Sequence, residues 1–60
     1  MDRLAYSVEE AAESLGIGRT AVFGLVRSGV IRSFKLGKRR LISDSALREF
    51  VEHEEAGQAP

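Results

Sequence analysis

Two short amphipathic helices joined by a glycine-bounded link, a hairpin signal at Gly37-Lys38 and a closing amphipathic helix predict a mainly α (α+β) fold. The order helix, helix, β-hairpin wing, helix is that of a small winged helix-turn-helix. Each element has its own local signature.

The first helix opens at Ser7. A serine hydroxyl accepts from the amides of the first turn, and Glu10 three residues later completes a capping box. Val8, Ala11, Ala12 and Leu15 follow at i, i+3, i+4 and i+7, one apolar face. Gly16 is the stop, because glycine accepts the left-handed conformation of a helix C-terminus. Gly16-Ile17-Gly18 is the link, with Ile17 expected to pin the turn to the core. The second helix is expected from Arg19 to Ser28, with Gly18 as a weaker N-cap. Val22, Leu25 and Val26 are its buried stripe and Gly29 its stop. Gly24 inside it costs about 1 kcal/mol of helix stability relative to alanine.

Two strands, Ile31 to Leu36 and Arg39 to Ile42, flank Gly37-Lys38. A two-residue loop with glycine first fits a type II′ turn. That register sets Phe34 against Leu41 and Leu36 against Arg39, and opposes Lys35 to Arg40. A three-residue loop would shift these pairs. The last helix starts near Ser43, with Asp44 in its first turn and Ala46, Leu47, Phe50 and Val51 as its apolar stripe. Leu4, Tyr6, Leu15, Phe34 and Phe50 are expected in the core. The division is a DNA-binding unit over 1–52 and an acidic tail over 53–60, read as a frayed helix end and disordered segment.

Size and composition restrict function. Sixty residues make one domain with a thin stability margin. Without cysteine, and with His53 as the one histidine, no thiolate or multi-histidine metal site is expected. No catalytic residue is expected, because the folded part has no histidine, no cysteine and no convergent carboxylate pair, and an enzyme pocket of several hundred Å³ is hard to fit at this size; no cofactor, metal or small-molecule substrate is expected either. No apolar run approaches the ~20 residues of a membrane span, and Met1 to Tyr6 lacks the apolar stretch of a signal peptide.

Charge is more informative than its sum. Nine bases and nine acids cancel, yet no acid lies between Ser14 and Ser43, a stretch that holds Arg19, Arg27, Arg32, Lys35, Lys38, Arg39 and Arg40. The second helix and the wing therefore form a cationic surface, suited to a polyanion such as double-stranded DNA. The bland alternative is a solvated basic face.

The sequence also resembles a known family. Tyr6-Ser7-Val8-Glu9-Glu10-Ala11-Ala12, then Leu15-Gly16-Ile17-Gly18-Arg19-Thr20-Ala21-Val22-Phe23, then Arg27-Ser28-Gly29 looks like the excisionase-type DNA-binding domain, which is similar to MerR-like winged helices. Lys35-Leu36-Gly37-Lys38-Arg39 resembles the basic wing, and Ile42-Ser43 leads into the closing helix at Leu47 to Val51. The resemblance spans roughly Leu4 to Val51. The family usually has serine or threonine at Gly18, often a polar or basic residue at Gly24, and often an aromatic residue at Arg40.

Arg19, Thr20, Phe23 and Arg27 fall on the second helix away from its core stripe. The N-terminal part of such a helix meets base edges in the major groove. Arg19 is expected to bind guanine or a phosphate, Thr20 a phosphate or only the helix start, and Arg27 a phosphate. Phe23 touches either a thymine methyl or the core rim. Lys38, Arg39 and Arg40 at the wing tip suit the minor groove, where negative potential attracts arginine; the alternative is that they only keep an exposed hairpin edge soluble. Lys35 and Arg32 are peripheral. The resemblance implies a phage-type excisionase (a recombination directionality factor). Several protomers would bend attachment-site DNA to promote excision by a separate integrase, in the cytoplasm or nucleoid of a bacterial or phage-infected cell. The alternatives are a small transcriptional regulator with the same DNA contacts, and an adaptor whose basic face meets an acidic protein.

Overall fold

The computed structural model describes residues 3–58. Its elements are β1 (Ala5–Ser7), α1 (Val8–Leu15), α2 (Arg19–Arg27), β2 (Phe34–Leu36), β3 (Arg39–Ser43) and α3 (Asp44–Gln58). The strands form one antiparallel sheet in the order β1-β3-β2. This is the winged helix-turn-helix order, with one strand added at the N-terminal edge.

Helix α1 begins as its sequence dictates. The Ser7 hydroxyl accepts the Glu10 amide at 3.1 Å, and the Ser7 amide donates back to the Glu10 carboxylate at 2.9 Å. Arg3 donates to the other Glu10 oxygen at 2.6 Å. The Arg3 guanidinium, then the Ser7 amide, hold the Glu10 carboxyl down from its ordinary 4.5 to about 2. A carboxyl depressed in the folded state stabilises fully above its unfolded pKa, and loses that contribution as pH falls towards the folded value. Glu10→Gln keeps the reach of a capping box. It is expected to flatten the acid limb of stability between about pH 4.5 and pH 2. Denaturant midpoints measured against pH in both proteins check this, and coincident acid limbs would sink it.

Both helices of the pair end in the same way. The Gly16 amide donates to the Glu13 carbonyl and the Ile17 amide to the Ala12 carbonyl; Gly29 and Val30 repeat this on Val26 and Leu25. These are Schellman closures, which need positive φ at the glycine. Gly16 has φ 73° and Gly29 φ 83°. The Ile31 amide adds a second bond to the Leu25 carbonyl at 3.1 Å, which draws Ile31 inward until only 1% of it is exposed.

The core is Val8, Ala11, Ala12, Val22, Ile31, Ile42, Ala46 and Leu47, with Tyr6, Leu15, Phe23, Leu25, Val26 and Phe50 packed around it. The hairpin register is the expected one, Phe34 opposite Leu41, Lys35 opposite Arg40 and Leu36 opposite Arg39. Gly37 has φ 63° and Lys38 does not have positive φ, the signs a type II′ turn requires. The Ser43 hydroxyl caps α3 by accepting the Ala46 amide at 3.1 Å.

Five expectations are corrected. Leu4 is 89% exposed; its carbonyl, not its side chain, is used, accepting the Asp44 amide. Ile17 is exposed as well, because its amide closes the Schellman turn and that turn lies at the surface. Phe34 is 43% exposed, since the face it shares with Leu36 and Leu41 is opposite to the one through which Ile42 enters the core. The first hairpin strand begins at Phe34 rather than Ile31, which is held in the preceding loop by its bond to Leu25. Finally, the segment read as a frayed helix end and disordered tail is helical through Gln58. Glu52, Glu54, Glu55 and Ala56 are good helix formers with no proline among them, so the helix continues into solvent. The last two residues of the expected tail, 59–60, lie outside the described residues.

Candidate nucleic-acid interface

Helix α2 and the β2–β3 hairpin carry the basic segment. Val22, fully buried, fixes the inner face of α2, which turns Arg19, Thr20 and Arg27 to the outside, where all three are exposed. Phe23 is half-buried against the core cluster, so its ring serves the core rim. The Arg19 guanidinium lies over that ring at 5.4 Å and its Nε is 3.2 Å from the Glu9 carboxylate. The start of α2 is thus an organised group of Arg19, Phe23 and Glu9. Gly18 caps α2 without a side-chain bond, and the helix passes through Gly24 without interruption.

On the hairpin Lys35, Lys38, Arg39 and Arg40 are all exposed. Pairing sets Lys35 directly across from Arg40. Like charges so placed repel, and an anion between them relieves the strain. Arg40 turns one nitrogen to the Ser33 hydroxyl at 3.3 Å. Arg32, by contrast, is turned away to Glu49 on α3, at 3.1 and 3.4 Å. Among the described residues, no acid forms a salt bridge with Arg27, Lys35, Lys38, Arg39 or Arg40. The charge that the segment presents outward therefore belongs to these five and to Arg19.

Glu9, Glu49 and Ser33 were not singled out by sequence reasoning as parts of this surface. Glu9 precedes Arg19 by ten residues, and only the α1–α2 turn brings the two together. Three acids of α3 have a separate place: a groove of 390 Å³, larger than the size of the chain led one to expect, is lined by Tyr6, Leu15, Leu47 and Val51 and carries Asp44, Glu52 and Glu55 together with Arg48. Among the described residues there is no cluster of three or more metal-ligating side chains, and no helix long and apolar enough to cross a membrane.

Residues 5–54 match the family described as Helix-turn-helix domain. A probable excisionase of Saccharopolyspora erythraea is 42% identical over 50 residues, 83% of this chain and 51% of the relative. The magnetosome protein MamR of Paramagnetospirillum magneticum is 41% identical over 46 residues, 77% of this chain and 55% of the relative. The chain thus spans about half the length of these curated relatives. No solved structure matches it. With the helix pair, the wing and their exposed bases in place, the chain belongs to the helix-turn-helix domain family, as an excisionase-type DNA-binding domain.

Proposed function

We propose that the chain is a phage-type excisionase that binds attachment-site DNA sequence-specifically. The observation that carries this reading is the run from Ser14 to Ser43, which lacks acids and whose exposed bases, apart from Arg32, lie on α2 and the wing. The 42% identity to a protein named probable excisionase supports the role.

In this reading Arg19 and Thr20 enter the major groove and Arg27 holds a phosphate beyond them. A bidentate arginine on guanine is worth roughly 1–3 kcal/mol of discrimination. Arg19 must first leave Glu9, but an exposed ion pair of this kind contributes at most about 1 kcal/mol, so the exchange is favourable. Phe23, whose ring lies under the Arg19 guanidinium, steadies that side chain and offers its exposed rim to a thymine methyl. Lys35, Lys38, Arg39 and Arg40 grip the backbone at the neighbouring minor groove. The DNA-binding unit is 1–52, and the acidic end of α3 stands apart from it. One such module buries a small interface. Specific action therefore requires further protomers on adjacent sites, which bend the DNA for an integrase. The working place is the cytoplasm, on the DNA of a bacterial or phage-infected cell. The domain acts by binding, without catalysis or a cofactor.

A gel shift with attachment-region and scrambled duplexes at two salt concentrations tests this. A ladder of bands on the attachment duplex alone, weakened by salt, is expected. Equal weak binding to both duplexes would overturn the assigned site in favour of a transcriptional regulator. No binding at low salt would overturn DNA binding by this surface and favour the adaptor.

A further inference from the structure

The hairpin exposes more than charge. Pairing places Phe34, Leu36, Arg39 and Leu41 on one face, opposite to the face that carries Ile42 into the core. Leu36 is 66% exposed and immediately precedes the turn, and Phe34 behind it is 43% exposed. Arg39 is the cross-strand neighbour of Leu36, and Lys35, Lys38 and Arg40 surround the same tip. Gly37 closes the turn without a side chain, and nothing lies within 4 Å of where one would be. The hairpin thus narrows to an apolar side chain framed by four cations.

A partner for this tip must be apolar at its centre and anionic around it. The minor groove of a duplex supplies both once a base step opens: its two phosphate walls, only about 6 Å apart, are the anionic surround, and the faces of the parted base pairs are the apolar centre. Bases on both faces of the ribbon can reach both walls, while the residue at the end of the strand meets the opened step.

We propose that Leu36, backed by Phe34, is an apolar wedge that enters the minor groove and partly unstacks a base step. The inference rests on the reading that the wing lies in that groove. Insertion of an apolar side chain between base pairs kinks a duplex towards the major groove. Pyrimidine–purine steps unstack most easily, so the wedge favours TA or CA steps under the wing. Leu36 thereby contributes specificity without a hydrogen bond to any base, and the kink supplies the bend that the excisionase reading requires.

The test uses the full chain and a duplex selected by it from a random pool. 2-Aminopurine replaces adenine at each pyrimidine–purine step in turn, and binding is followed separately by anisotropy. The wild-type protein is expected to raise the fluorescence at one step, and Leu36→Ala to leave it at the level of free duplex. Leu36→Met, which keeps apolar length, restores the rise. Because unstacking opposes the contacts that it permits, affinity of Leu36→Ala should stay within about tenfold of wild type. Circular dichroism verifies that the alanine variant is folded. Bound duplex with no fluorescence change at any step overturns the wedge and leaves DNA binding intact. Failure of the wild-type protein to bind any duplex overturns the DNA reading itself, and the wedge with it. Weakening of Leu36→Ala only on multi-site duplexes, with the single-site signal unchanged, overturns the wedge and assigns the patch to a second copy of the chain.

Discussion

Replacing Lys38, Arg39 and Arg40 together by alanine is expected to remove most of the salt dependence of DNA binding. If five bases neutralise phosphates, log K falls against log salt with a slope near −4.5, and loss of three changes it to about −1.8. Between ~50 and ~200 mM salt the wild-type protein then loses about 500-fold in affinity and the triple variant only about 12-fold. The difference is read directly from anisotropy titrations at four or five salt concentrations. The fold should survive, because the three side chains are exposed and the replacement of Arg40 removes its repulsion with Lys35. Arg32→Ala is the matched control. That side chain lies outside α2 and the hairpin and is turned towards Glu49 on α3, away from the wing tip, so the slope should scarcely change. An unaltered slope in the triple variant would mean that the wing lies away from the phosphates, and would also remove the basis for a wedge at Leu36.

The parts legible in the sequence were those set by neighbours along the chain. Ser7 and Glu10 sit three apart, Gly16 and Gly29 follow the last apolar residue of each helix, and Gly37-Lys38 sets its own register. Each is a local decision of the backbone, and each is found as read. Strand β1 was not legible. Ala5–Ser7 is three residues long with no alternation to detect, and it becomes a strand because β3 offers it an edge. The core assignments failed for a related reason. Hydrophobicity alone placed Leu4, Ile17 and Phe34 inside, but three short helices and one small sheet enclose only a limited volume. Ile31 took the central place because a backbone bond to Leu25 pulled it there. For the candidate interface, the cations were plain from the sequence. Their division between outward-facing and engaged was not. Arg19 meets Glu9 and Arg32 meets Glu49 only after the chain has folded back on itself.

Ile42→Ala is expected to unfold most of the protein at 37 °C. Ile42 is 0% exposed and lies on β3, the central strand, opposite Tyr6 of β1. Truncation of a buried isoleucine to alanine costs about 2–5 kcal/mol, through lost burial and the cavity left behind. A core of this size supplies roughly 3–5 kcal/mol in total, so one such cavity consumes most of the margin. Leu4→Ala removes a larger-looking side chain from solvent and should leave the melting temperature unchanged. Thermal unfolding followed by circular dichroism separates the two, and a cooperative Ile42→Ala transition near that of wild type would refute the assignment. Ile42→Val is the informative intermediate, at about 0.5–1.5 kcal/mol, because it retains a folded population in which binding is measurable. Arg40 lies two residues from Ile42 on the same strand, and Arg39 three, so the isoleucine anchors the strand from which the wing projects. If the anchor acts only through the population of folded protein, the loss of DNA affinity in Ile42→Val equals the loss of that population. A larger loss would show that Ile42 also sets the angle between the wing and α2, and with it the spacing at which the two meet their grooves.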